Sequence, residues 1–227
     1  MDFNKIIYQT NSLNEKASPL TSLKQGLTTG LLDSTISAYP LIQKCRIQAG
    51  VKTQQHGERK FIAGFIFSNT MGHSISSINH PLSTLCSSAI SVVIETITRP
   101  GITGSKIRPT VLPFMALREG SFWGGIQVTN HLIKSGDSNP VNSFLFQALF
   151  SGIIGNLFDT LTGYTSAKET TILDTCHWAI KSPKEVISIY KRSLPSRMIG
   201  CVLTPWLAIE ATKHPKSPLN VLKSNHS

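Results

Sequence analysis

Long stretches of the chain mix apolar residues with small polar ones and omit charge. From Phe61 to Ile94 there is no Asp, Glu, Lys or Arg, and from Ser138 to Phe158 there is none either. Gln25 to Gln43 holds one, Asp33. A soluble amphipathic helix sets an apolar stripe against a charged face. Here Ser, Thr, Asn and Gly stand where charges would be. A bilayer-spanning helix needs about 20 predominantly apolar residues, yet none of these segments is a Leu-rich span. The pattern predicts helices with one face to lipid and one to a polar cavity. The alternative is a set of Ser/Thr-rich core helices in a soluble α-helical domain.

The same pattern predicts six long helices in three pairs, over 22–46, 61–79, 83–99, 112–134, 141–166 and 184–213, with a short helix over 170–181. Ser18-Pro19 precedes the first, His80-Pro81 makes a short turn, and Pro100-Gly101 ends the third. Ser135-Gly136-Asp137-Ser138-Asn139-Pro140 is the clearest loop. Gly26 with Gly30, and Ser151 with Gly155, have the small-xxx-small spacing that lets helices approach closely in lipid. The chain then divides into a tail (1–21), a body of three pairs (22–80, 81–134 and 141–213) and a polar tail (214–227).

Charge changes this picture by giving it a direction. The 227 residues carry a formal charge of +10, although only 15% are charged and 40% are hydrophobic. A disordered basic segment would hold more charge and fewer Ile, Leu and Val residues, and a soluble domain would be about a quarter charged. Thirteen of the 22 basic residues fall in three stretches after the odd helices: Lys44–Lys60, Arg99–Thr110 and Lys168–Arg192. Basic loops stay on the side from which insertion begins, so both termini are expected on the opposite side. The alternative is that basic residues merely flank turns. Met1 to Leu20 has no apolar run and no arginine, so it reads as neither a secretory signal nor a presequence.

Other function classes find little support. Cys45, Cys86, Cys176 and Cys201 lie far apart, with neither metal-ligand spacing nor a disulfide framework. No Gly-rich phosphate loop or nucleophile elbow is present, so no enzyme, metal site or organic cofactor is expected. The basic residues are spread over loops without aromatic interleaving, so nucleic acid is not an expected partner.

Several segments, in order, resemble the mitochondrial carrier (solute carrier 25) family. Leu157-Phe158-Asp159-Thr160-Leu161-Thr162 is similar to its odd-helix motif, Pro-x-acid-x-x-base. Asp174-Thr175-Cys176 resembles the start of its surface helix. Tyr190-Lys191-Arg192 and Leu194-Pro195-Ser196-Arg197 resemble its aromatic-basic-Gly signature and an even-helix start, and Ile209-Glu210-Ala211-Thr212-Lys213 that helix's end. In the first helix, Gly26-x-x-x-Gly30, Tyr39-Pro40-Leu41 and Lys44-x-Arg46-x-Gln48 match. In the middle, Val93-Ile94-Glu95-Thr96-Ile97-Thr98-Arg99 occupies the odd-helix motif, and Glu119-Gly120-Ser121-Phe122-Trp123-Gly124-Gly125 resembles the acid-Gly-to-aromatic-x-Gly signature. The resemblance covers Ser22 to Lys213.

The resemblance implies an all-α, six-transmembrane-helix bundle with pseudo-threefold symmetry, and shortened matrix loops because the repeats are short. It implies transport of a small solute by alternating access in the mitochondrial inner membrane, of this cell or of a host. A monomer in contact with membrane lipids, cardiolipin among them, is implied too. Proline kinks and acid–base pairs form the gate in the family. Here the first repeat keeps Pro40 and Lys44 without the acid, the second keeps Glu95, and the third keeps Asp159, with Thr98 and Thr162 in place of bases. Only one of three salt bridges is then expected to form normally, and a gate with few ion pairs closes weakly. On the other side Glu210 and Lys213 remain, against His131 and Lys134 on the fourth helix.

Ionisable groups at membrane depth are costly and mark cavities. Thirteen residues separate Arg118 from His131, and thirteen separate Arg197 from Glu210, which sets the two arginines at one level. The resemblance implies that this is the solute-contact level. Arg offers a planar fork for a carboxylate or phosphate, and Glu119 an acceptor for an ammonium. A rival register follows Trp123-Gly124-Gly125 and sets Arg118 and Glu119 at the end of a surface helix. Glu95 and Asp159 are gate acids by resemblance, or groups that attract a cation or carry a proton. Asp33 is a further cavity acid, and Ser68, Asn69 and His73 are inward polar candidates. The expected function is membrane transport of an amino acid, carboxylate or nucleotide-like solute. The alternatives are a carrier-fold membrane protein that no longer transports, and a soluble basic α-helical binding module.

Overall fold

The structure is a computed structural model and describes residues 19–49, 57–78, 80, 82–104, 109–135 and 139–213. The described residues form an all-α fold without strands. The six long helices are α1 (Pro19–Ala49), α2 (Glu58–Ser76), α3 (Ser83–Thr98), α4 (Leu112–Ser135), α5 (Pro140–Lys168) and α7 (residues 183–213). A short helix, α6 (Ile172–Lys181), joins the last two. The elements follow the apolar pattern, with shifted starts. The first helix begins at Pro19 rather than 22, and the second occupies 58–76 rather than 61–79. Glu58 extends the second because it sits in the first turn, where a carboxylate suits the helix dipole, and pairs with Arg46 of α1. Both predicted tails, apart from 19–21, lie outside the described residues.

Local chemistry sets the other boundaries. The Asn139 side chain accepts from Val141 N at 3.0 Å, with Pro140 in the first turn, and starts α5. Thr171 accepts from Asp174 N at 3.2 Å and starts α6. Hydrogen bonds from the Thr171 and Thr170 hydroxyls hold the Asp174 carboxyl below its ordinary range. Pro100 opens a further turn, Pro100–Thr103, directly after α3, and Gly104 ends it in the left-handed region at φ 71°.

Each long helix packs on the next, and α7 returns to α1, so the six close a ring. The α1–α2 seam brings two backbones close together. A Cβ on Gly26 would lie 2.5 Å from Ser74 Cα, and one on Gly30 2.5 Å from Thr70 Cα. Gly155, the other predicted small residue, makes room for a side chain: a Cβ there would lie 3.0 Å from Arg197 Cζ. Two long helices widen into π turns, Ala148–Ile154 in α5 and Ile199–Leu203 in α7. Pro205 has no N–H for the Cys201 carbonyl. Gln147 Nε2, from α5, donates to that carbonyl at 3.0 Å. Arg197 Nε, from α7, donates to the Ser151 carbonyl at 2.7 Å. Each π turn thus accepts a side-chain donor from the facing helix.

Polarity is inverted relative to a water-soluble bundle. Among the described residues, buried polar and charged side chains outnumber buried hydrophobic ones about two to one. The outer faces carry apolar stripes at helical spacing: Leu27 and Leu31 on α1, Leu145, Leu149 and Ile153 on α5, and Ile199, Leu203 and Leu207 on α7. By length and mean hydropathy, α5 is the one described helix able to cross a membrane on its own; α3 is apolar but shorter.

The basic stretches assigned to loops need a correction. Lys44, Arg46 and Arg99 are buried in helices or between them. Part of the positive charge that gave the bundle a direction therefore belongs to its interior.

Candidate functional site

Seven charged side chains meet inside the ring, brought from five helical segments. Lys44 comes from α1, Glu95 from α3, and Arg99 from the residue that follows it. Arg118 and Glu119 come from α4, Asp159 from α5 and Arg197 from α7. Asp159 is the hub. Lys44 Nζ lies 2.5 Å from Oδ2 and Arg197 Nη1 2.7 Å from Oδ2. Arg118 Nη1 reaches Oδ1 at 3.0 Å, and Arg99 Nη1 lies 3.6 Å from the same oxygen. Glu95 takes Arg99 Nη1 at 2.8 Å and binds Arg118 through both carboxylate oxygens. Arg118 Nε donates to Glu119 at 2.9 Å. The Asp159 side chain is fully buried, and the four bases are nearly so.

Taking charges out of water costs several kcal/mol per ion unless they are paired and hydrogen-bonded. The network meets that condition for the carboxylates. It does not exhaust the guanidinium donors. Arg99 Nη2 and Arg197 Nη2 are buried without a hydrogen-bond partner among the described residues. With every member ionised, four cations face three anions, and the network carries one positive charge in excess.

A cavity of about 60 Å³ adjoins the network. Lys44, Glu95, Glu119 and Arg197 line its charged side, and Ser68, Asn69 and Ser91 its polar wall. Trp123 Nε1 and Ser68 Oγ both bond Ser91 Oγ, at 2.8 and 3.0 Å, which fixes that wall. Across the ring α1 touches α5, and α4 touches the last part of α7.

The sequence-derived candidates divide accordingly. Arg118 and Arg197 do share one level, since both reach Asp159. That level also contains Glu95 and Asp159, so the split into solute arginines and gate acids has no counterpart in the geometry. Arg118 and Glu119 lie inside α4, so the surface-helix register for them does not hold. The expected shortage of ion pairs is also corrected: Arg99 after α3, Arg118 of α4 and Arg197 of α7 supply what the missing bases do not. Pro40 is within α1, one turn before Lys44.

Asp33 and the second proposed gate lie elsewhere. Asp33 is fully buried, and its Oδ2 accepts from Asn69 Nδ2 at 2.5 Å and faces His73 Nε2 at 3.2 Å. Lys213 Nζ donates to Ser77 Oγ at 2.8 Å and Asn130 Oδ1 at 2.9 Å. His131 and Glu210 are half-buried on α4 and α7. The Lys134 side chain lies outside what the structure describes.

Arg99 is the main residue missed from sequence. It was counted among the loop charges, because the family pattern looks for a base three residues after the acid and finds Thr98. Its signal is the Glu95-to-Arg99 spacing of four, which aligns two side chains on one helix face. Ser91 and Gln147 also escape the sequence reading, and nothing in their spacing marks them; Trp123 enters it only as a register marker.

No protein-family model, curated protein or solved structure matches the chain.

Proposed function

We propose that this chain is an integral membrane protein of carrier type. It moves a small, carboxylate-bearing solute through the centre of a six-helix, pseudo-threefold ring by alternating access. The observation that carries the reading is the inverted polarity: apolar stripes outside, and a buried polar interior built around an ion-paired centre. Lipid makes the outer stripes favourable. The Ser, Thr and Asn residues on the inner faces lower the mean hydropathy of each helix, which accounts for single helices that fall short of a simple span criterion. The mitochondrial inner membrane and a monomeric state are proposals from the family resemblance alone.

The site favours a small anion or zwitterion. Its excess of one positive charge, with Lys44 and Arg197 on the cavity wall, suits one carboxylate. Glu119, on the cavity wall, suits an ammonium group. Alternating access requires the Asp159 and Glu95 pairs to exchange partners, with the solute carboxylate competing for the arginines. No catalysed reaction and no cofactor enter this reading.

Uptake into proteoliposomes tests it, with labelled lactate, glutamate, alanine, lysine and ATP as probes. Saturable uptake of a monocarboxylate or an amino acid is expected, with its loss in Arg197→Ala protein that still inserts. No uptake of any probe would favour a carrier-fold protein that no longer transports. Uptake unchanged in Arg197→Ala would remove Arg197 from the solute site.

A further inference from the structure

A second buried ionisable centre lies next to the cavity, and the ion network does not use it. Asp33 of α1 and His73 of α2 are both fully buried. Asp33 Oδ2 faces His73 Nε2 at 3.2 Å. Asp33 Oδ1 and His73 Nδ1 have no hydrogen-bond partner among the described residues. With a neutral imidazole donating through Nε2, the pair leaves two acceptors and a negative charge buried and only partly satisfied. An added proton cancels the negative charge that the pair holds away from water. On the imidazole it gives Nδ1 a hydrogen. On the carboxyl it makes the O–H donate into Nε2, whose own hydrogen then moves to Nδ1.

The groups that face the pair come from four helices. The charge that faces the pair from α7 is Lys213, whose Nζ donates to Ser77 Oγ; Ser77 Oγ in turn donates to the His73 carbonyl at 2.7 Å. From α4 the facing side chain is Trp123, edge-on to the imidazole with ring centres 5.4 Å apart. From α2 itself comes Asn69, and from α1 Ser34, whose Oγ lies 3.3 Å from Asn69 Nδ2. Asn69 and Trp123 are also cavity walls. The pair therefore meets the cavity through two side chains.

We propose that Asp33 and His73 form a proton-binding site, coupled to the solute cavity through Asn69 and Trp123. The coupling rests on the transport reading above; the proton site does not. A proton taken up here and a monoanion taken up beside Arg197 add no net charge. Coupled uptake is then electroneutral, driven by a pH gradient and indifferent to membrane potential.

The test uses the full chain in lipid nanodiscs, labelled with ¹⁵N-histidine, titrated by NMR from about pH 4 to pH 9, a range that spans the ordinary carboxyl and imidazole values. The His73 resonances are assigned by their loss in His73→Gln. Either location of the added proton changes the ring nitrogens, because Nε2 becomes an acceptor or Nδ1 gains hydrogen. The expected result is a His73 transition in the wild type that is displaced or absent in Asp33→Asn. A His73 ring that keeps one state throughout, or titrates identically in Asp33→Asn, would overturn the proton site. In proteoliposomes, a lactate or glutamate uptake that responds to membrane potential rather than to a pH gradient would overturn the coupling. If no probe is taken up at all while His73 titrates with Asp33, the transport reading fails and the proton site stands.

Discussion

Asp159 lies within 4 Å of four cationic side chains from four different parts of the chain, so its charge ties the ring together at one point. Removing that charge while keeping the shape leaves Lys44 and Arg197 buried without their carboxylate. Breaking a buried pair costs roughly 3–5 kcal/mol. Asp159→Asn should therefore lower the thermal midpoint in detergent markedly, and an unchanged midpoint would show that the network is not stabilising. Glu119→Gln should have a smaller effect, because Glu119 is bound by Arg118 alone among these bases and lies at the cavity edge. At this scale Glu95 and Asp159 were legible in the sequence because each is the first charge after a long uncharged run, and Lys44, Arg118 and Arg197 through the carrier-like spacing. Arg99 was not. Its neighbour Pro100 reads as a helix end, yet proline is tolerated in the first turn of the next helical segment. The guanidinium therefore stays over Glu95.

Helix existence and order were legible because apolar and small polar positions keep a helical period across each segment. The π turns were not, since they depend on two helices facing each other. Gln147 and Pro205 supply a direct test of that pairing. Gln147→Met should leave the Cys201 carbonyl without its side-chain donor, at about 1–3 kcal/mol. Pro205→Ala restores a backbone N–H, so the double variant should recover part of the loss; strictly additive effects would contradict the coupling. The α1–α2 seam makes a second prediction at this scale. Gly30→Val should reduce thermal stability, because its Cβ would lie 2.5 Å from Thr70 Cα. Gly124→Ala meets nothing within 4 Å and should be neutral, or stabilising by up to about 1 kcal/mol through helix propensity. Equal effects of the two would contradict the close seam.

For the whole molecule, the defining property is the direction in which polarity runs. A positive charge spread over few charged residues looked like basic loops on one face of a membrane. Some of that charge instead sits at the centre, where Lys44 and Arg99 meet Glu95 and Asp159. Meanwhile Leu31, Phe67, Ile97 and Ile153 point outward. A soluble bundle would leave such stripes in contact with water, against the hydrophobic effect that folds it. The most direct test is alkaline carbonate extraction of membranes from cells making the full chain. Retention in the membrane pellet, like an integral protein, is the expected result. Release into the supernatant as a stable, monodisperse protein would contradict the membrane reading and with it the transport function.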